Sequence, residues 1–234
     1  MRKDIIIFPL NEDSLILKFG DVLTHDIHQK VYQATNILLN HPFKGFIELV
    51  PAYTTITVYF DSQSIPSSNP FQQVEDWIYK RLERMEETKG VSTRNIIEIP
   101  VCYDEEFALD LIEISKAKNM PPSEMISLHS QSTYHVYFIG FSPGFPFLGD
   151  LDKKLYTERK KTPRLSVPAG SVGIAGLQTG IYPSSTPGGW NIIGRTPKVL
   201  FHSGKDHPSV LNPGDQVTFF PISKDEFFKW EETH

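Results

Sequence analysis

Glycine and proline crowd into one part of this chain. Twelve of its 15 glycines and nine of its 18 prolines fall between Gly140 and Gly214. Glycine supplies positive φ and proline cannot donate to a strand ladder, so this density demands tight turns between short strands. A set of short strands escapes exposed edges by closing into a barrel. Before residue 130 the breakers thin out and long periodic segments take over. The 234 residues therefore read as two regions of different architecture, 1–92 and 93–234.

The first region alternates strands and helices. Ser14 to Phe19 is a predicted strand ended by Gly20-Asp21. From Thr24 to Leu39, Ile27, Val31, Ala34 and Leu38 recur at helical spacing behind Thr24 as N-cap. Gly45 to Val50 and Thr54 to Phe60 are strands. Asn69-Pro70 pairs a capping residue with proline at the first helical position. The stripe Phe71, Val74, Ile78, Leu82 and Met85 follows, closed by Lys89-Gly90, and Arg94 to Val101 is a strand again. The order β-α-β-β-α-β suits an α+β N-terminal domain of split βαβ type, with two helices on one face of an antiparallel sheet. In the second region, helices are predicted over Asp104 to Asn119 and from Pro121 to about His129. A mainly-β barrel to Ile222 and a short acidic-aromatic tail complete the reading.

Composition excludes several classes. Hydrophobic residues make up 39% and charged residues 22%, with a formal net charge of −5, which is unlike a disordered chain or a dedicated nucleic-acid binder. The single cysteine, Cys102, permits no internal disulfide and no multi-cysteine zinc site. The apolar run in MRKDIIIFPL is broken by Pro9 and Asn11, too soon for a signal h-region. No stretch approaches the roughly 18 apolar residues of a membrane span. The expectation is a cytoplasmic protein with no nucleic-acid or membrane partner.

Three segments carry the candidate chemistry. Phe141 to Gly149 (FSPGFPFLG) is either a rigid pocket lip walled by Phe145 or Phe147, or a turn packing its own aromatics under the barrel. Thr162 to Gly180 holds glycines at 170, 173, 176 and 180, whose N–H groups can form an anion nest. No Gly-Lys-Ser/Thr ends it, so it is not a P-loop. Near it stand Arg164, Ser171, Gln178 and Thr179. Tyr182 to Pro197 adds Trp190 and Arg195. A guanidinium matches a carboxylate or phosphate through two parallel bonds. His129 is the candidate general acid/base, weighed against a satisfied core histidine. His25 and His28 lack a third metal ligand, and acidic neighbours argue against Cys102 as a nucleophile.

The segments PAYTTITVYFD, IPVCYDEEFALDL, HSQSTYHVYFIGFSPGFPFLGDLD, TPRLSVPAGSVGIAGLQTGIYP, TPGGWNIIGRTP and LNPGDQVTFFPI resemble the family of the 5-oxoprolinase B subunit, also called KipI-like or allophanate hydrolase subunit 1. The resemblance implies a cyclophilin-like C-terminal barrel. It implies partnership with the 5-oxoprolinase C subunit (allophanate hydrolase subunit 2-like) and the A subunit in opening 5-oxo-L-proline to L-glutamate. ATP with Mg2+ is then the co-substrate of the complex, with no metal held by this chain. Within the same resemblance, the alternatives are inhibition of a sensor histidine kinase and a subunit related to urea carboxylase. On the first reading Arg164 and Arg195 clamp substrate oxygens, Gln178 and Thr179 hydrogen-bond the substrate, His129 shuttles a proton, and Phe145 and Trp190 shape the ring site.

Overall fold

The computed structural model describes residues 5–22, 24–83 and 96–233. Two compact units emerge, Met1–Thr93 and Arg94–His234. The first contains β1 (Ile6–Asn11), β2 (Ser14–Lys18), α1 (His25–Leu39), β3 (Phe46–Pro51), β4 (Thr55–Phe60) and α2 (Pro70–Leu82). Both helices start where their caps require. The Thr24 hydroxyl accepts from the Ile27 N–H at 3.3 Å, and Asn69 Oδ1 accepts from the Gln72 N–H at 3.2 Å, with Pro70 first in the helix. Val31, Ala34 and Leu38 of α1 and Val74, Ile78 and Leu82 of α2 bury their stripes with Leu15, Leu17, Ile56 and Val58 of the sheet.

The sheet is not the one expected. Its order is β1-β2-β4-β3, all antiparallel, and its fourth strand is the N-terminal run Ile6–Asn11. Pro9 is admitted because β1 lies at an edge, where a missing N–H breaks no ladder. The strand expected over Arg94 to Val101 begins at Ile96 and belongs to the second unit. Met85, Lys89, Gly90 and Arg94 lie outside the described residues.

The second unit runs β5 (Ile96–Cys102), α3 (Leu111–Lys118), α4 (Pro122–Ser130), β6 (Thr133–Ile139), β7 (Pro146–Gly149), β8 (Arg164–Val167), β9 (Ser171–Ala175), β10 (Gln178–Ile181), β11 (Thr186–Gly188), β12 (Asn191–Arg195), β13 (Gln216–Ile222) and α5 (Lys224–Thr233). Seven strands close a barrel in the order β10-β7-β6-β13-β5-β12-β9, while β8 and β11 form a separate two-stranded ribbon. Strand β5 lies parallel to β13 from Ile96–Gln216 to Cys102–Ile222. The helix expected from Asp104 starts at Leu111, and the expected tail is helix α5.

Alternation sorts the barrel side chains into two layers. Val101, Tyr134, Val136, Leu148, Val172, Ile174 and Phe219 fill the interior. On the outer wall, Phe145, Tyr182, Trp190 and Ile192 pack with Val167 of the ribbon. Gly180 provides the floor of this outer layer. A Cβ there would stand 2.9 Å from the Pro146 carbonyl oxygen and 3.0 Å from both the Phe145 and Trp190 rings. Gly180→Ala should therefore destabilise the fold by roughly 1–3 kcal/mol. A urea midpoint equal to that of the parent protein would show that the rings do not rest on the strand.

Candidate functional site

Asp110 is the most constrained charge of the second unit. Its side chain is 1% exposed. Arg164 grips it with a fork, Nη1 to Oδ2 at 2.9 Å and Nη2 to Oδ1 at 2.7 Å. Lys160 Nζ donates to Oδ1 at 2.7 Å, and the Ile192 N–H donates to Oδ2 at 2.7 Å. A carboxylate offers about four lone-pair sites, and these four bonds occupy them all. Burial acts to raise the Asp110 pKa. The hydrogen bonds from Arg164, Lys160 and Ile192 outweigh it and hold the carboxyl below its ordinary range. Arg164 is thus a structural clasp between the ribbon and strand β12. Its fork, expected to clamp a substrate, faces an internal carboxylate in this structure.

His129 is likewise committed. It is fully buried beside Tyr103, Tyr134 and Phe219, with its ring stacked 4.6 Å from that of Phe219. Nε2 lies 2.9 Å from the Thr179 hydroxyl, which donates onward to the Gly173 carbonyl at 3.0 Å. Thr179 therefore accepts from Nε2–H. The Tyr103 hydroxyl, 2.7 Å from Nδ1, donates to it. Burial raises the Tyr103 pKa well above its usual value and keeps that proton in place. Burial also pushes the His129 imidazole down to about 3. The ring is neutral at physiological pH and both nitrogens are bonded inside the barrel. In this chain His129, expected as a proton shuttle, and Thr179, expected as a substrate contact, tie α4 to the β9–β10 hairpin.

The three guanidinium and amide groups do not meet in one hollow. Gln178 pairs with Ala175 and Arg195 with Ser171, at opposite ends of β9. That is roughly 13 Å along the strand. Gln178 and Thr179 are neighbours in one strand and so point to opposite faces. Phe145 and Trp190 do come together, with centroids 5.4 Å apart and edge to face, joined by Phe147 and Tyr182. Phe145 and Trp190 are buried, so the three glycine-rich segments converge on a packed aromatic layer. Phe141, at φ +70 and 64% exposed, is its outermost ring.

Arg195 keeps chemistry in reserve. Its Nε donates to the Ala169 carbonyl at 2.8 Å, and its Cζ lies 5.9 Å from the Phe107 centroid and 5.7 Å from that of Phe227. One backbone bond and two aromatic rings hold the guanidinium, with the Nη groups remaining to meet an anion. Cys102, on the same outer face, is buried. Burial, followed by the charge of Asp104, raises its thiol pKa, consistent with an inert thiol. Nothing in sequence spacing singled out Asp110, because its partners lie 50, 54 and 82 residues away.

Two measurements check this assignment. Arg164→Ala leaves Asp110 buried with Lys160 as its remaining cation and should lower stability by roughly 2–4 kcal/mol; an unchanged denaturant midpoint would contradict the clasp. His129 binds its proton far more weakly folded than unfolded, so the unfolded chain is protonated first as pH falls from the ordinary value of 6.5. Its contribution is full above that pH and declines towards about 3, amounting to a loss of about 2–3 kcal/mol by about pH 4.5. His129→Gln should flatten the fall in stability between about pH 7 and 4.5. An equally steep fall in the variant would remove His129 as its source.

The family described as carboxyltransferase domain, subdomain C and D, matches residues 5–211. The chain is 42% identical over 229 residues to the 5-oxoprolinase B subunit of Bacillus subtilis (strain 168), covering 95% of each chain. It is 35% identical over 213 residues to the 5-oxoprolinase B subunit of Escherichia coli O157:H7, covering 91% of this chain and 94% of the relative. Among solved structures it superposes on TTHA0988 with a TM-score of 0.75 at 31% identity, over 90% of this chain and 40% of the other; it thus spans about two fifths of that protein. The chain belongs to the 5-oxoprolinase B-subunit family of carboxyltransferase-domain proteins.

Proposed function

We propose that this chain is the B subunit of an ATP-dependent 5-oxoprolinase, working with the C and A subunits to open 5-oxo-L-proline to L-glutamate. The observation that carries the reading is the 42% identity to the B subunit of a 5-oxoprolinase along 95% of both chains. The chemistry fits a shared site. A lactam is a poor electrophile because its nitrogen donates into the carbonyl. Moving a phosphoryl group onto the amide oxygen turns that oxygen into a leaving group and makes ring opening feasible. Arg164, His129 and Thr179 are engaged within the fold, so a companion subunit supplies the rest of the site.

ATP enters as a substrate of the assembly. Among the described residues no three His, Cys, Asp or Glu side chains gather to hold a metal ion. Among the described residues no helix is long and apolar enough to cross a membrane.

The test is reconstitution. This chain alone should show no ATP-dependent cleavage of 5-oxoproline, whereas a complex with the A and C subunits should. Urea in place of 5-oxoproline should give no turnover. Cleavage by the isolated chain would overturn the shared site, and an inert complex would overturn the substrate.

A further inference from the structure

A polar constellation outside the residues above lies on the barrel wall. His135 of β6 stands between Gly149 of β7 and Gln216 of β13, its cross-strand partners. Its Nδ1 is 2.7 Å from Asp150 Oδ2, and the Tyr137 hydroxyl donates to Asp150 Oδ1 at 3.1 Å. Gln216 Nε2 lies 2.9 Å from His135 Nε2. An ionised carboxylate only accepts, so Nδ1 carries the ring proton and Nε2 is the acceptor. The Gln216 carboxamide then donates an amide N–H to Nε2. The His135 side chain is 18% exposed and that of Asp150 is 41% exposed. Unlike His129, this imidazole is within reach of a bound molecule.

The backbone is shaped around this group. Asp150 sits at φ +69, a left-handed conformation that glycine adopts freely and that asparagine and aspartate adopt more readily than other residues. Gly149 before it has no Cβ because the Tyr137 ring occupies that space. The Tyr137 hydroxyl braces this carboxylate from its far side, so the fold fixes the oxygen that faces His135. The arrangement has the base–orienter geometry of an acid/base pair.

We propose that His135 is a general base for the N–H of a cyclic amide, with Asp150 and Tyr137 as its positioning residues. The proposal rests on the reading that the complex acts on 5-oxoproline. The Gln216 carboxamide shows the contact in its ground state, an amide N–H directed at Nε2. In the reaction the lactam N–H takes that place. The N–H bond breaks and its electron pair becomes the C=N bond of an imidate. The carbonyl π pair forms a new O–P bond to the terminal phosphoryl group of a nucleoside triphosphate. The bridging P–O bond breaks to release the nucleoside diphosphate. The proton rests on Nε2, and the Asp150 carboxylate balances the imidazolium.

The experiment uses the reconstituted complex with 5-oxoproline and ATP. His135→Gln should assemble with the other subunits, lose about 100-fold or more in kcat and keep KM within about 3-fold. Asp150→Gly separates function from packing, because glycine relieves the positive φ. It should melt at or above the parent temperature yet lose about 10-fold or more in kcat. A His135→Gln complex within about 3-fold of the parent turnover would overturn the proposal while leaving the substrate reading intact. An Asp150→Gly chain that melts lower and loses activity only in proportion would also overturn it, as a structural brace. Should His135→Gln fail to assemble, Asp150→Gly decides alone. An inert parent complex would remove both the substrate and this role.

Discussion

A buried carboxylate organises the second unit of this protein. Asp110 accepts from Arg164, Lys160 and the Ile192 peptide, and its own N–H donates to the Ile192 carbonyl at 2.8 Å. Those partners come from the ribbon, from the loop before it and from the barrel wall. An ionised group without water is tolerated only when such bonds replace its hydration. Removing any partner leaves part of that charge uncompensated, so the ribbon, the loop and strand β12 are coupled through one side chain. The aromatic layer of Phe145, Tyr182 and Trp190 lies between the ribbon and the barrel and depends on the same closure.

The two histidines that matter differ in what surrounds them. His129 is enclosed by aromatic rings and a threonine, and burial strips it of charge near neutrality. His135 meets a carboxylate at Nδ1 and remains partly open to solvent. The first setting suits a packed core. The second suits proton exchange. A residue type proposes a chemistry, and burial together with hydrogen-bond partners decides whether it is usable.

The arginines divide in the same way. Arg164 spends its planar fork on an internal acid. Arg195 uses one backbone bond and two aromatic faces to hold its guanidinium in place. A family whose relatives are named as subunits of a larger enzyme accords with a chain that presents one such group outward. Its remaining polar side chains of interest mostly serve closure of the barrel.

Local chemistry was legible in the residues themselves. Thr24 and Asn69-Pro70 announce their helices because a cap is read within four residues. The glycine and proline density of the later half announces turns and a closed barrel. Family membership was legible in the long matching segments from PAYTTITVYFD to LNPGDQVTFFPI. What needed the third dimension was every pairing across a long stretch of chain. Strand β5 finds β13 some 120 residues later, as Ile96 pairs with Gln216, and leaves the N-terminal sheet to take Ile6–Asn11 instead. The separation of Gln178 from Arg195, the capture of Arg164 by Asp110 and the burial of His129 follow from strand register and barrel closure. Register depends on which distant strands exclude water together, and spacing along one chain carries no record of that.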